Sequence, residues 1–355
     1  MTILEYIDHY KDKTFKELAF NEVDNVIFSS ISYIDLDDVV STWSKEKISI
    51  AEAKRKYFEN YQKNGKKMIA YKHAIDIFEH IANTNRYKDL LLYNYAYIGD
   101  ENRQFSAVTI EINENLIYIS YEGTDHLVSG WMEDFKMSYL FPVPAQKHAI
   151  RYLDKYIFSK KDIILGGHSK GGNLALVAGM YANIFVRSKI IKIYVNDGPG
   201  LKKAQFESQK YQNIKDKLVN IIPNYALVGL LLQHSNDYKV VLSSKKGVLA
   251  HDLFTWRVDD VTFIETELST FSKILNKSMN SWANKYNDYQ RKEFTESLFS
   301  VFKRAGIKSL EEVLQNKTLI LKLVYESRGI NKETKKMLRE FIWILFEYIK
   351  DYKEL

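Results

Sequence analysis

The sequence predicts an α/β protein: a mostly parallel sheet flanked by helices, with an additional helical C-terminal region. Three observations carry this. Short β-branched runs alternate with helical stretches through the middle of the chain, the order that a parallel sheet with crossover helices requires. Chain-bending residues concentrate in that middle: all four prolines lie between Pro142 and Pro223, and twelve of the fifteen glycines lie between Gly99 and Gly247. The flanks, poor in both, read as helical.

Taken in order, residues 14–32 and 50–83 carry apolar side chains at mixed three- and four-residue spacing, which predicts helices. Asn21–Asp24 is a helix-start cluster ahead of Val26, Ile27 and Phe28. From Gln104 the pattern changes. Residues 107–112 and 116–121 are β-rich and joined by Asn113-Glu114-Asn115, which reads as a hairpin. Further strands are expected at 162–165, 190–195, 218–222 and 238–243, with a helix at 173–182. After Trp256 the helical pattern returns and runs to the end. Ser309-Leu310-Glu311-Glu312 has capping-box spacing, and 337–349 is a strongly apolar helix. The expected organisation is an α/β unit over 1–260, its first 95 residues largely helical, followed by a helical extension or cap over 261–355.

Composition removes several classes of function. The 355 residues are 46% hydrophobic and 27% charged, which is globular, and contain no cysteine. That excludes a disulfide framework, thiolate-bound metal and a thiol nucleophile. The net charge of +6 is spread among both signs, so no nucleic-acid partner is expected. Peripheral contact with an anionic membrane is the most it supports. The opening MTILEYIDHYKDK has early acidic residues and no apolar core of a signal peptide. The longest apolar runs, 225–232 and 341–346, fall far short of the ~20 residues that span a bilayer. A soluble, cytoplasmic protein is therefore expected.

The chemistry is written in Gly167-His168-Ser169-Lys170-Gly171, a G-x-S-x-G sequence with a strand before it and a helix after it. A nucleophilic serine must stand clear of the sheet on a sharp turn, with strained φ and no bulk two residues to either side. Gly167 and Gly171 meet that need. The helix start turns the Lys170 amide toward a developing oxyanion. The order of a Walker loop and the spacing of a dinucleotide fingerprint are both absent.

A serine needs a base, a group that orients the base, and a second oxyanion donor. In a strand–serine–helix fold of this kind the chain order is serine, acid, histidine. Only His234 and His251 lie downstream of Ser169. His251 follows the last strand and a Lys-Lys-Gly turn and is the preferred base; His168 is expected to pack beneath the elbow. Asp197, in Asn196-Asp197-Gly198-Pro199-Gly200 after the 190–195 strand, is the preferred acid. Asp237 and Asp252 compete with it, and Asn224 places an amide after the following strand. Thr124, in the loop after the hairpin, is placed to give the second amide.

These residues together resemble the bacterial Mbeg-like family, a lipase-related group of the α/β-hydrolase superfamily close to the class 3 lipases. The resemblance rests on Gly123-Thr124-Asp125, Gly130-Trp131-Met132-Glu133-Asp134-Phe135, Pro144-Ala145-Gln146, the 167–175 motif, Asn196–Gly200, and His251-Asp252 with Trp256. It extends over roughly residues 1–260, the Phe20–Asp24 stretch included. It implies an α/β-hydrolase-like fold, a nucleophile at Ser169, and an oxyanion site from the Thr124 and Lys170 amides. Lipase-like relatives carry arginine before the Gly-Thr pair; here Glu122 stands there. They also take the acid one strand later, where this chain has Asn224.

Two functions follow. One is a serine hydrolase of esterase or lipase type, acting on a small-molecule or lipid ester without metal or organic cofactor; an acyltransferase would use the same acyl-enzyme. Phe141, Trp131 and Met137 are candidates for an acyl channel or lid. The other is an inactive scaffold that binds or regulates.

Overall fold

The computed structural model describes residues 1–64, 72–100, 103–124, 128–235, 237–307, 319, 322 and 325–353. Eight strands form one sheet in chain order: β1 (Ile48–Ser49), β2 (Leu91–Asp100), β3 (Arg103–Asn113), β4 (Leu116–Tyr121), β5 (Asp162–His168), β6 (Ile190–Asn196), β7 (Leu218–Pro223) and β8 (Lys239–Val241). β1 to β4 pair antiparallel, and β4 to β8 run parallel. A small second ribbon, β9 (Val258–Asp259) with β10 (Thr262–Phe263), follows.

The helices are α1 (Ile3–Tyr10), α2 (Glu22–Ile31), α3 (Ile50–Asn64), α4 (Lys72–Ile81), α5 (Val128–Lys136), α6 (Pro144–Asp154), α7 (Lys170–Tyr181), the single turns α8 (Ile184–Arg187), α9 (Lys203–Phe206) and α10 (Gln209–Gln212), then α11 (Thr270–Lys285), α12 (Asp288–Ala305) and α13 (Lys332–Lys353). Among the described residues none is long and apolar enough to cross a membrane.

Side-chain alternation explains why both faces of the parallel strands are apolar. Tyr118, Ile164 and Tyr194 point to one face, into a core shared with α1, α2 and α4. Ile117, Ile119, Ile163, Leu165, Ile193 and Val195 point to the other, where α6 and α7 cover them. The expected hairpin and the four later strands are present, each close to its expected bounds. Asn21 caps α2 through the amides of Val23 and Asp24, as the start cluster predicts.

Alongside α1 to α4, the first 95 residues also hold β1 and the start of β2. Asn94 at φ 53° and a bulge between Tyr93 and Ala96 interrupt the alternation that would have announced β2. Two expectations need correction. Helix does not resume at Trp256; β9 and β10 come first, and helix returns at Thr270. Within 14–32 only Glu22–Ile31 is helical. The capping box at Ser309 lies outside the described residues, whereas 337–349 falls inside α13.

The C-terminal helices build their own apolar cluster from Leu275, Trp282, Phe294, Phe299 and Phe341. Trp131, Met132 and Phe135 of α5 pack against it. Trp131 is thus engaged with these helices. Phe141 stacks near Tyr181, and Met137 is buried, so these three side chains serve packing.

Candidate active site

Ser169 sits between the end of β5 and the first turn of α7, at φ 56° and ψ −129°. Non-glycine residues rarely adopt this conformation, which costs on the order of 1–3 kcal/mol. Its surroundings enforce it. The Ser169 amide donates to Asn196 O at 2.9 Å, and Ser169 O accepts from the Gly172 amide at 3.0 Å. The flanking glycines are required by contact: a methyl group at Gly171 would lie 2.1 Å from Tyr121 O, and one at Gly167 would lie 2.4 Å from the Gly171 carbonyl carbon. Ser169 is 8% exposed.

Asp197 follows β6 directly, also at positive φ (45°), and is fully buried. Its amide donates to Ile221 O at 2.8 Å. Its Oδ1 accepts from the Gly229 amide at 2.9 Å, and its Oδ2 lies 2.6 Å from His251 Nδ1. His251 ends a short turn, Gly247–His251, after β8. The structure therefore brings His251 and Asp197 together, and Asp197 is the neighbour of the residue that holds the Ser169 amide.

The competing residues are engaged elsewhere. His234 Nδ1 faces Ser235 O at 3.1 Å. Asp252 pairs with His73 at 2.9 Å and caps the turn at Phe254. Among the described hydrogen bonds none joins Asp237 to an imidazole; its amide donates to Ser235 Oγ. Asn224 Oδ1 accepts from the Ser243 amide at 3.1 Å, tying β7 to the chain after β8.

His168 packs beneath the elbow as expected. Its Nε2 meets His251 O at 2.8 Å and its Nδ1 meets Tyr33 Oη at 3.0 Å. A carbonyl only accepts, so Nε2 carries the proton and Nδ1 accepts from Tyr33. Burial, with His251 beside it, holds the His168 imidazole well below its ordinary pKa.

Thr124 lies in the loop leaving β4, against the elbow. A methyl group at the preceding Gly123 would sit 2.5 Å from His168 O. Among the described backbone hydrogen bonds the Thr124 and Lys170 amides donate to no acceptor. Thr124 Oγ1 donates to Asp134 Oδ2 at 2.6 Å. Burial pushes the Asp134 carboxyl up to about 6, opposed by the positive charge of Lys170 and by the Thr124 hydrogen bond. The Lys170 side chain is itself buried, with Nζ 3.5 Å from Glu133 Oε2 and 3.2 Å from Gln104 Oε1. Glu133 Oε1 accepts from the Ala145 amide at 2.9 Å. The motif residues are thus braces of the loop, Glu133 buried and Asp134 half-buried with one carboxyl oxygen enclosed. An acidic pair set among Trp131, Met132 and Phe135 is the signal that points to burial.

Sequence reasoning missed the support beneath the elbow. Asn25 of α2 donates to Asn196 Oδ1 at 2.9 Å, while Asn196 Nδ2 donates to Ser29 Oγ at 3.0 Å and Gly167 O at 3.2 Å. Tyr33 is the other unforeseen partner. Gln146 Nε2 donates to Asn173 Oδ1 at 2.8 Å, and Asn173 Nδ2 donates to Gly200 O at 2.8 Å, joining α6 and α7 to the acid-bearing loop. Among the described residues no three His, Asp or Glu side chains converge as a metal-binding set.

A serine on a strand–helix elbow, an aspartate after the next strand and a histidine after the last strand stand in the chain order of the α/β-hydrolase fold. Two solved structures are similar. M37 lipase is 16% identical, with 59% of this chain and 70% of that one covered and a TM-score of 0.35. The lipase of Rhizomucor miehei, in a propeptide complex, is 11% identical, with 68% of this chain and 81% of that one covered and a TM-score of 0.37. No curated protein matches the sequence. The sequence pattern of the Mbeg1-like family matches residues 81–300, more than half of the chain, from before β2 into α12, and the protein belongs to that family.

Proposed function

We propose that the protein is a serine hydrolase of esterase or lipase type, cleaving a carboxylic ester, lipid esters included, through an acyl-enzyme at Ser169. The observation that carries this reading is the 2.6 Å contact between His251 Nδ1 and Asp197 Oδ2, one residue along from the carbonyl that holds the Ser169 amide.

The proton on Nδ1 is donated to Asp197, which leaves Nε2 as the base. Ser169 Oγ attacks the ester carbon while Nε2 takes its proton. The tetrahedral oxyanion is held by the Thr124 and Lys170 amides, each donor worth about 3 kcal/mol in a well-studied protease. The C–O bond then breaks, and the imidazolium returns its proton to the leaving alcohol. Water repeats the sequence and frees the acid. In this reading residues 261–355 act as a cap that holds α5, and with it the Thr124 loop, in place.

One observation favours the second reading, a scaffold that binds without turnover. Among the described hydrogen bonds none joins Ser169 Oγ to His251, and the serine is nearly enclosed. Such bonds are often long before substrate arrives and shorten in the complex. A fluorophosphonate probe decides between the two. Covalent labelling of the folded protein that is lost in Ser169→Ala supports the hydrolase; equal labelling of the two proteins leaves only the scaffold.

A further inference from the structure

The edge of the sheet opposite the elbow carries an apolar, basic surface with no part in the chemistry above. Phe158 is 92% exposed, and Ile184 and Phe185 are 63% and 66% exposed. A large apolar side chain left this far in water is unusual, and three in adjoining loops mark an interaction surface. The loops are locked together. Asp154 Oδ1 accepts from the Asn183 amide at 2.8 Å, and Lys189 Nζ donates to Ile157 O at 2.8 Å. Lys217 Nζ donates to Ile190 O at 2.6 Å, which adds the loop before β7.

The charge of this edge is as one-sided as its exposure. The turns and loops that enter β4 to β7 (113–115, 154–162, 183–192 and 209–217) hold nine Lys and Arg against four Asp and Glu, which is +5 of the chain's +6. Lys160, two residues from Phe158, is exposed, and so is Lys192 at the start of β6. Apolar tips set in a basic rim are complementary to one kind of partner, a bilayer with an anionic surface: the tips enter the headgroup–acyl boundary and the rim meets lipid phosphate.

We propose that this edge docks the protein on an anionic lipid membrane. The inference is independent of catalysis at Ser169. Each basic residue near such a surface contributes enough to change binding about fivefold, and the aromatic tips make attachment depend on bilayer as well as on charge.

The test is sedimentation of the full chain with vesicles of phosphatidylcholine alone and of phosphatidylcholine with 30% phosphatidylglycerol. Binding to the anionic vesicles at least about tenfold stronger, and weakened by salt, is expected. Phe158→Ser with Phe185→Ser, and separately Lys160→Glu with Lys192→Glu, should each lower it at least about tenfold without moving the thermal midpoint, because all four side chains are exposed. Ser169→Ala should bind like the parent whether or not the protein is a hydrolase. Equal binding to the two vesicle types, or unchanged binding of both double variants, overturns the proposal. So does a loss of self-association in the Phe158→Ser, Phe185→Ser variant with no change in its sedimentation with vesicles, which would assign the surface to a second copy of the chain.

Discussion

His168 Nε2 donates a 2.8 Å hydrogen bond to the main-chain carbonyl of His251, so the residue before Ser169 fixes the backbone of the residue read as its base. A neutral, buried imidazole makes that bond. Because its folded-state pKa is depressed, the folded protein binds fewer protons here than the unfolded chain. The stability this group contributes is full above about pH 6.5 and falls as the pH drops below it, by at most about 1.4 kcal/mol per pH unit. His168→Phe should be less stable than the parent by about 1–3 kcal/mol at pH 8, where the His251 carbonyl loses the Nε2 donor and Tyr33 Oη loses its bond to Nδ1. The gap should narrow toward pH 5. Urea midpoints at the two pH values check this.

Asp134 titrates in the opposite sense. Its folded pKa of about 6 lies above the unfolded value, so its contribution is full below about pH 4 and is lost as the pH rises through 6. Asp134→Asn keeps the acceptor for Thr124 Oγ1 and removes the buried charge. It should raise stability at pH 8 by on the order of 1–3 kcal/mol and leave it unchanged near pH 4. Equal effects at both pH values would contradict the assignment.

Asp197→Asn should leave the fold intact and lower kcat/KM on a short-chain ester by about 10⁴-fold, the cost of losing imidazole orientation in a comparable triad. Asn224→Ala should lower it far less, since its amide ties strands and faces no imidazole. Hydrolysis of a nitrophenyl ester measures both.

Ser169→Gly should be more stable than Ser169→Ala, by about 1 kcal/mol or more, because glycine tolerates φ 56° and alanine does not. Thermal midpoints of the two variants report the strain stored at Ser169.

Arg86 and Asp24 form a buried ion pair at 2.5 Å, and Tyr87 Oη adds a 2.6 Å bond to Asp24. Arg86→Met leaves the carboxylate unpaired and should cost about 3–5 kcal/mol. Loss of cooperative unfolding or a fall in the denaturant midpoint of that size is the expected outcome.

The parallel half of the fold was legible because its strands are short, β-branched and separated by glycine and helix. β2 was not, since Asn94 breaks its alternation and its apolar residues fill both phases. The elbow was legible from local spacing alone: Gly167 and Gly171 sit where a side chain would strike Tyr121 or the elbow itself. Asp197 was readable only as one of several carboxylates. What distinguishes it, the Gly229 amide on one oxygen and His251 on the other, joins residues 32 and 54 positions apart. Asn25 and Asn196, 171 positions apart, left no local trace, because a buried amide is recognisable only by its partner.

That last pairing bears on where the protein can be cut. The family's matched span starts at residue 81, after α2 has already delivered Asn25 and Ser29 to the underside of the elbow. A fragment trimmed to that span would strip one face of β4 to β6, take the α2 partners from the Asn196 amide and the Tyr118 hydroxyl, and remove Tyr33 from His168. The shared segment carries Ser169, Asp197 and His251, but it borrows its floor from the residues that precede it.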